Sequence, residues 1–242
     1  MKTFKRILLL LLALIAVTVV YNYPKLNLLA GYSAKNTASS VFVAGRTLEL
    51  TDATDNNFSP VNLASDKVDI NNKIATASAF GLLTRKAVYR KGLGTVLTLT
   101  EEDETASYLS PKRLQPDNAT PYPYGNAPQK DTIFANINYK TLNTAVDSLF
   151  RERNKSRAVV ILYKDQVIAE RYAKHFNKDS KLLGWSMTKS ILSTVFGVMQ
   201  HQGKLNVNDK APIASWQNDE RKNISIHNLL QMNSGLEWDE NY

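Results

Sequence analysis

The sequence contains no cysteine, so neither a disulfide framework nor a thiolate nucleophile or metal ligand is available to it. Glycine and proline are sparse, 10 and 8 in 242 residues, which excludes collagen-like and low-complexity classes, and a hydrophobic content of 43% suffices for a globular core. Concentrated charge is missing as well. Lysine and arginine number 30 against 22 acids, a net +8, but residues 1–34 hold Lys2, Lys5, Arg6 and Lys25 and no acid. The rest, 26 basic against 22 acidic residues, offers no face dense enough for a phosphate backbone, and no nucleic-acid partner is expected. His175, His201 and His227 are 26 residues apart twice, which fits no compact zinc spacing; neither a metal nor a cofactor is expected.

Where charge is absent at the amino terminus, a long apolar run is present. Residues 7–21, ILLLLLALIAVTVVY, follow three cations within the first six positions, the pattern of a signal peptide or signal anchor. As a helix the run rises about 22 Å, and Asn22 and Tyr23 can extend it into the interface of a roughly 30 Å hydrocarbon layer. The nearest small pair for a signal peptidase, Gly31 and Ser33, lies too far along, which favours an uncleaved, single-pass inner-membrane anchor over residues 7–23 without excluding cleavage. Basic residues before the run place residues 1–6 in the cytoplasm and the bulk of the chain in the periplasm.

The exported part reads as α+β. Residues 34–130 look mostly β: Val41-Phe42-Val43 is a short apolar run, and Lys86–Arg90 and Thr95–Thr100 flank a glycine turn as a hairpin. Five of the 8 prolines fall between Pro111 and Pro128, where missing N–H donors forbid a helix or sheet interior, so this is an extended strap. From 131 the periodicity sharpens. Leu142, Ala145, Val146, Leu149 and Phe150 predict an amphipathic helix over 139–153; Arg157–Tyr163 and Val167–Tyr172 predict a hairpin around Lys164-Asp165-Gln166. Met187, Ile191, Leu192, Val195, Val198 and Met199 share one face of a helix that begins near Ser186 and stops at Gly203; Ser225 caps a shorter one ending near Gln231.

Chemistry enters at Gly184-Trp185-Ser186-Met187-Thr188-Lys189, a Ser-x-x-Lys at the predicted start of that helix. Three residues on is the same face one turn up, so the Lys189 amine can reach the Ser186 hydroxyl. A hydroxyl is a poor nucleophile until a nearby base takes its proton, and a helix amino terminus favours both a neutral amine and a developing oxyanion. On the tetrapeptide alone, Ser186 as a helix cap beside a solvated Lys189 is the commoner arrangement. Trp185 either walls an acyl pocket or packs in front of the helix, and Asp239 and Glu240, neighbours in a loop, read as solvated charges.

GWSMTKS, preceded by a hydrophobic hairpin and followed by LLQMNSGLEWDE, resembles the serine β-lactamases and penicillin-recognising hydrolases, in particular the class C-like esterase and nylon-oligomer hydrolase branch. The resemblance covers about 131–242 and rests also on Leu229, Leu230, Ser234 and Gly235, some forty residues past the serine. It implies a β-lactamase/transpeptidase-like antiparallel sheet flanked by helices, with Ser186 as the acylated nucleophile and Lys189 as its base or proton relay. Met232 and Asn233 stand where class C-like members usually carry His-Thr, which favours the esterase and amidase branch. Tyr242 is matched to a tyrosine on a substrate-closing loop and, with Trp185, is the expected substrate contact. The resemblance further implies that Ala38 and Thr95, where relatives often carry cysteines, are neighbours.

The family's later tyrosine and Lys-Thr-Gly-like strand have no counterpart before residue 242. Residues 131–242 are therefore expected to be the first part of a longer hydrolase domain, with little activity on their own. The expected function is a membrane-anchored periplasmic serine hydrolase acting on small ester, amide or β-lactam-like substrates. The alternative is a non-catalytic or peptidoglycan-associated binding protein of the same fold.

Overall fold

The computed structural model describes residues 2–115, 118–129 and 132–239, with backbone alone for residues 2, 3, 5, 8–16 and 18. The architecture is α+β, and the chain divides into two compact units, Met1–Lys181 and Leu182–Tyr242.

The first unit begins with one helix, α1 (Lys2–Phe42), which continues through Pro24 and packs its carboxyl-terminal half on a sheet. Two expectations are corrected here. The helix over 7–23 does not end there but runs on as one helix whose later part packs in the folded body, and Val41 and Phe42 close that helix instead of forming a strand, so the β-rich region starts at Ala64 and not at 34. The reason is a stripe of small side chains, Ala30, Ser33, Ala34, Thr37, Ala38 and Ser40, all buried at helical spacing. A stripe that narrow gains its stability by close approach to a flat partner, and that tertiary contact overrides the modest helix propensity of Ser, Thr and Asn. Among the described residues no helix is long and apolar enough to cross a membrane; most side chains of the 7–21 run lie outside that description.

The partner is an antiparallel meander of β1 (Ala64–Asp69), β2 (Ile74–Ala79), β3 (Leu83–Arg90) and β4 (Gly94–Thr98), in that order. The β3–β4 hairpin is the one expected. On the face toward α1, Ala75, Ala77 and Ala87 meet Ala34 and Ala38, and Ala79 and Leu83 meet Leu29 and Ala30. Alanine against alanine leaves little room: a Cβ on Gly31 would lie 3.2 Å from Leu97 Cδ2. Further along, the Ser39 hydroxyl is 2.5 Å from that of Thr95, so the α1 and β4 segments named for Ala38 and Thr95 do lie side by side.

A polar seam runs beside this core. α2 (Leu48–Thr54), capped by the Thr47 hydroxyl, delivers Asp52, Asp55 and Asn56 to α1 and β1. Buried Asn56 donates to Thr37 Oγ1 at 2.8 Å and to Asp66 Oδ2 at 3.0 Å, while Ser33 donates to both Asp66 oxygens. The Asp52 residue is exposed, but its carboxyl is turned against Asp66 and loses water there. That desolvation, then repulsion from Asp66 and the hydrogen bond between the two, push its pKa from 3.8 up to about 6. A carboxyl whose folded pKa is raised stabilises the fold fully below about pH 3.8 and loses that contribution as pH rises through about 6. Asp52→Asn, which can still donate to Asp66, is expected to raise the urea midpoint at pH 7.5 and to flatten its change between pH 4 and 7. An unchanged midpoint at pH 7.5 would show that the two carboxylates do not share a proton.

After α3 (Glu101–Thr105) and the proline-rich strap, Gln129 clasps the edge of the next sheet, donating to Val167 O at 2.9 Å and accepting from Val167 N at 2.8 Å. α4 (Tyr139–Leu149) ends a few residues before the expected 153, because the chain tightens at Phe150. β5 (Ala158–Tyr163) and β6 (Gln166–Tyr172) form the expected hairpin, closed by Lys164 and Asp165 at φ 48° and 59°. Both central residues in the left-handed region match the twist of the strands they join. In the second unit, α5 (Met187–His201) ends before Gly203 at φ 68°, and α6 (Ile226–Leu230) starts from Ser225 through a capping box with Asn228.

Candidate active site

Ser186 is the N-cap of α5, yet its side chain makes no capping hydrogen bond. The local backbone explains why. Three successive i to i+3 bonds, Met187 N to Gly184 O at 2.9 Å, Thr188 N to Trp185 O at 3.2 Å and Lys189 N to Ser186 O at 3.0 Å, open the helix as a tight 3₁₀ turn. These bonds occupy the amides that a capping hydroxyl would otherwise serve. In a 3₁₀ turn residues i and i+3 eclipse, which sets Lys189 directly over Ser186. Its Nζ donates to Ser186 Oγ at 3.0 Å. The Thr188 hydroxyl is engaged with Trp185 O at 2.8 Å, so it does not compete for the serine.

Trp185 adopts φ 46°, a left-handed conformation that costs a non-glycine residue roughly 1–2 kcal/mol. The turn reverses the chain between Gly184 and the helix and leaves the Ser186 N–H without a hydrogen bond among the described residues. Nothing in the residue types signalled this, since tryptophan is not a residue that favours φ > 0. Both Ser186 and Lys189 are exposed, as are Met187, Ile191, Leu192, Val195 and Val198 on the apolar face of α5.

Trp185 is exposed beside the serine. Leu229 and Leu230 end α6, and Met232 and Gly235 turn the chain after it at φ 59° and 76°. Among the described residues no hydrogen bond joins that turn to Ser186 or Lys189. Tyr242 and Glu240 lie outside the described residues. His201 closes α5, His227 sits in α6, and His175 belongs to the other unit; among the described residues no cluster of His, Asp and Glu could hold a metal.

A serine hydroxyl free of capping, a lysine amine in hydrogen-bond contact with it and a serine amide without a hydrogen bond among the described residues are groups of the kinds that acyl-transfer chemistry uses as nucleophile, proton acceptor and oxyanion donor. Residues 146–242 match the Beta-lactamase family model. The matched segment takes in the last turn of α4, the β5–β6 hairpin, α5 with the Ser186–Lys189 pair, and α6, and it is consistent with part of a serine β-lactamase-like domain. No curated protein and no solved structure matches the chain.

Proposed function

We propose that residues 146–242 supply the nucleophile and base of a serine hydrolase that works through an acyl-enzyme, with Ser186 as nucleophile and Lys189 as the base that takes its proton. The observation that carries this is the 3.0 Å Lys189 Nζ to Ser186 Oγ contact at a helix start whose serine does no capping. In the first step Ser186 Oγ attacks a carbonyl carbon, its proton passes to Lys189 Nζ, and the carbonyl oxygen takes up negative charge within reach of the Ser186 N–H. Collapse of that tetrahedral species expels the alcohol or amine, which receives the proton from Lys189, and water then releases the acid by the same route. A lysine performs this only when water is kept from the amine, so a bound acyl group has to cover the pair.

The substrates that fit are small esters, amides or β-lactam-like compounds; Met232 and Asn233 favour the esterase and amidase branch. Trp185 is proposed to line the acyl side of the site, and Tyr242 to be a further substrate contact. The apolar run behind three cations supports a membrane anchor over residues 7–23 with the remainder in the periplasm. A fluorescent phosphonate should label the full-length protein and fail to label Ser186→Ala; equal labelling of both would refute the assignment.

A further inference from the structure

We propose that the tip of the β2–β3 hairpin, Phe80-Gly81-Leu82, with Leu63 beside it, rests in the outer lipid interface, giving the α1–sheet module a second point of contact with the bilayer. The inference rests on the anchor reading of residues 7–23. Phe80, Leu82 and Leu63 are large apolar side chains exposed by 60%, 59% and 51%. They lie at one end of the sheet: Ala64, next to Leu63, pairs with Ala79, and Ala79 pairs with Leu83. Phe80 and Gly81 take φ 53° and 70°, which closes the turn tightly, with Leu82 N on Ala79 O at 2.9 Å.

That end of the sheet is the one nearest the amino-terminal half of α1. Ala79 and Leu83 pack with Leu29 and Ala30, and Leu26 joins them, whereas at the far end Phe42 lies by Tyr89, ring centroids 6.4 Å apart. The helix therefore runs lengthwise along the sheet, from the tip end to the Asn71-Asn72-Lys73 turn. From Ala79 the tip projects about 5 Å further, at roughly 3.3 Å per strand residue, which equals about three helical residues at 1.5 Å each. Phe80 and Leu82 thus stand level with Leu26 and Asn27, about one helical turn past Tyr23.

Three features mark the adjoining turn of α1, residues 21–25, as an interface. Tyr21 and Tyr23 are exposed aromatics of the kind that sit among headgroups. Pro24 has no N–H for the carbonyl of Val20, and that acceptor needs water or a headgroup donor, not hydrocarbon. Lys25, whose Nζ lies 5.7 Å from the Tyr21 ring centroid, and Arg85, which donates to Asn27, supply cations for lipid phosphates at the same height.

Because the chain has no native cysteine, single-cysteine variants can be labelled cleanly. Full-length Val17→Cys, Phe80→Cys, Leu82→Cys and Asn72→Cys, each carrying an environment-sensitive fluorophore, would be reconstituted into phosphatidylethanolamine/phosphatidylglycerol vesicles containing nitroxide lipids. The expected result is quenching at 17 by a mid-chain nitroxide, blue-shifted emission and quenching at 80 and 82 by a headgroup-proximal nitroxide, and neither effect at 72. Quenching at 17 with positions 80 and 82 behaving like 72 would overturn the tip contact and leave the anchor standing. No quenching at 17 would overturn the anchor and this inference with it. Two exposed tip positions guard against one substitution disturbing the turn.

Discussion

Replacing Lys189 with alanine is expected to slow acylation of Ser186 by about 10²- to 10⁴-fold, the usual contribution of a positioned general base. Stability should hardly change, because Lys189 is exposed and, among the described residues, its side chain bonds the serine alone. Lys189→Arg separates the two ways a cation could act. Arginine keeps the positive charge but does not give up its proton near neutral pH, so it supports charge stabilisation and not proton abstraction. The account predicts that Arg fails to restore the labelling rate; a rate within a few-fold of wild type for Lys189→Arg would mean that charge alone is needed. Time courses of phosphonate labelling across pH for the three proteins decide it.

The largest expected effect on stability lies elsewhere in the chain, at Asp55. This carboxylate is 4% exposed and is held by Arg46 at 3.3 Å, by Arg157, and by the Ser40 hydroxyl at 2.9 Å. The same two guanidinium groups lie 5.5 Å and 5.3 Å from the Phe176 ring centroid, and Arg46 also donates to Lys181 O at 2.7 Å. Asp55 thus ties α2 to α1 and to the start of β5, across about a hundred residues of sequence. Asp55→Ala leaves two guanidinium groups facing each other with no anion between them. Loss of one partner from a buried pair costs about 3–5 kcal/mol, and the part-exposed Arg157 places this case toward the lower end. Urea denaturation at pH 7 should show the midpoint falling sharply, with Arg157→Ala costing less. A loss below about 1 kcal/mol for Asp55→Ala would mean that water solvates both cations and that the contact is only a surface pair.

The elements read most readily from sequence were those whose pattern and local chemistry agree. α4, the β5–β6 hairpin, α5 and α6 each combine a clear period with a cap or turn residue: Asn138 before α4, Lys164-Asp165 in the hairpin, Gly203 after α5 and Ser225 before α6. β1 and β2 lack such agreement. ASDKVD and IATASA carry few β-branched or aromatic residues, and they become strands because their alanines let α1 approach closely. The helical stripe from Ala30 to Ser40 carries meaning only once a flat partner is known, which is why the sequence pattern alone points to β structure in the carboxyl-terminal part of α1.

At the site, the spacing of Ser186 and Lys189 was legible, and so was their placement at a helix start. The 3₁₀ opening that sets the amine over the hydroxyl was not, because it depends on Trp185 holding a backbone conformation that its residue type disfavours. Asp55 was missed for a different reason. Its partners Arg46 and Arg157 are distant in sequence and carry no periodic signal, so only the fold brings them together.

The most direct test of the central claim is peptide mapping by mass spectrometry after the full-length protein has reacted with a phosphonate or a penicillin. The account predicts a single covalent adduct on the peptide that contains Ser186, on the serine itself, with its formation strongly slowed by Lys189→Ala. An adduct on another residue, or one at Ser186 that forms equally fast without Lys189, would contradict it.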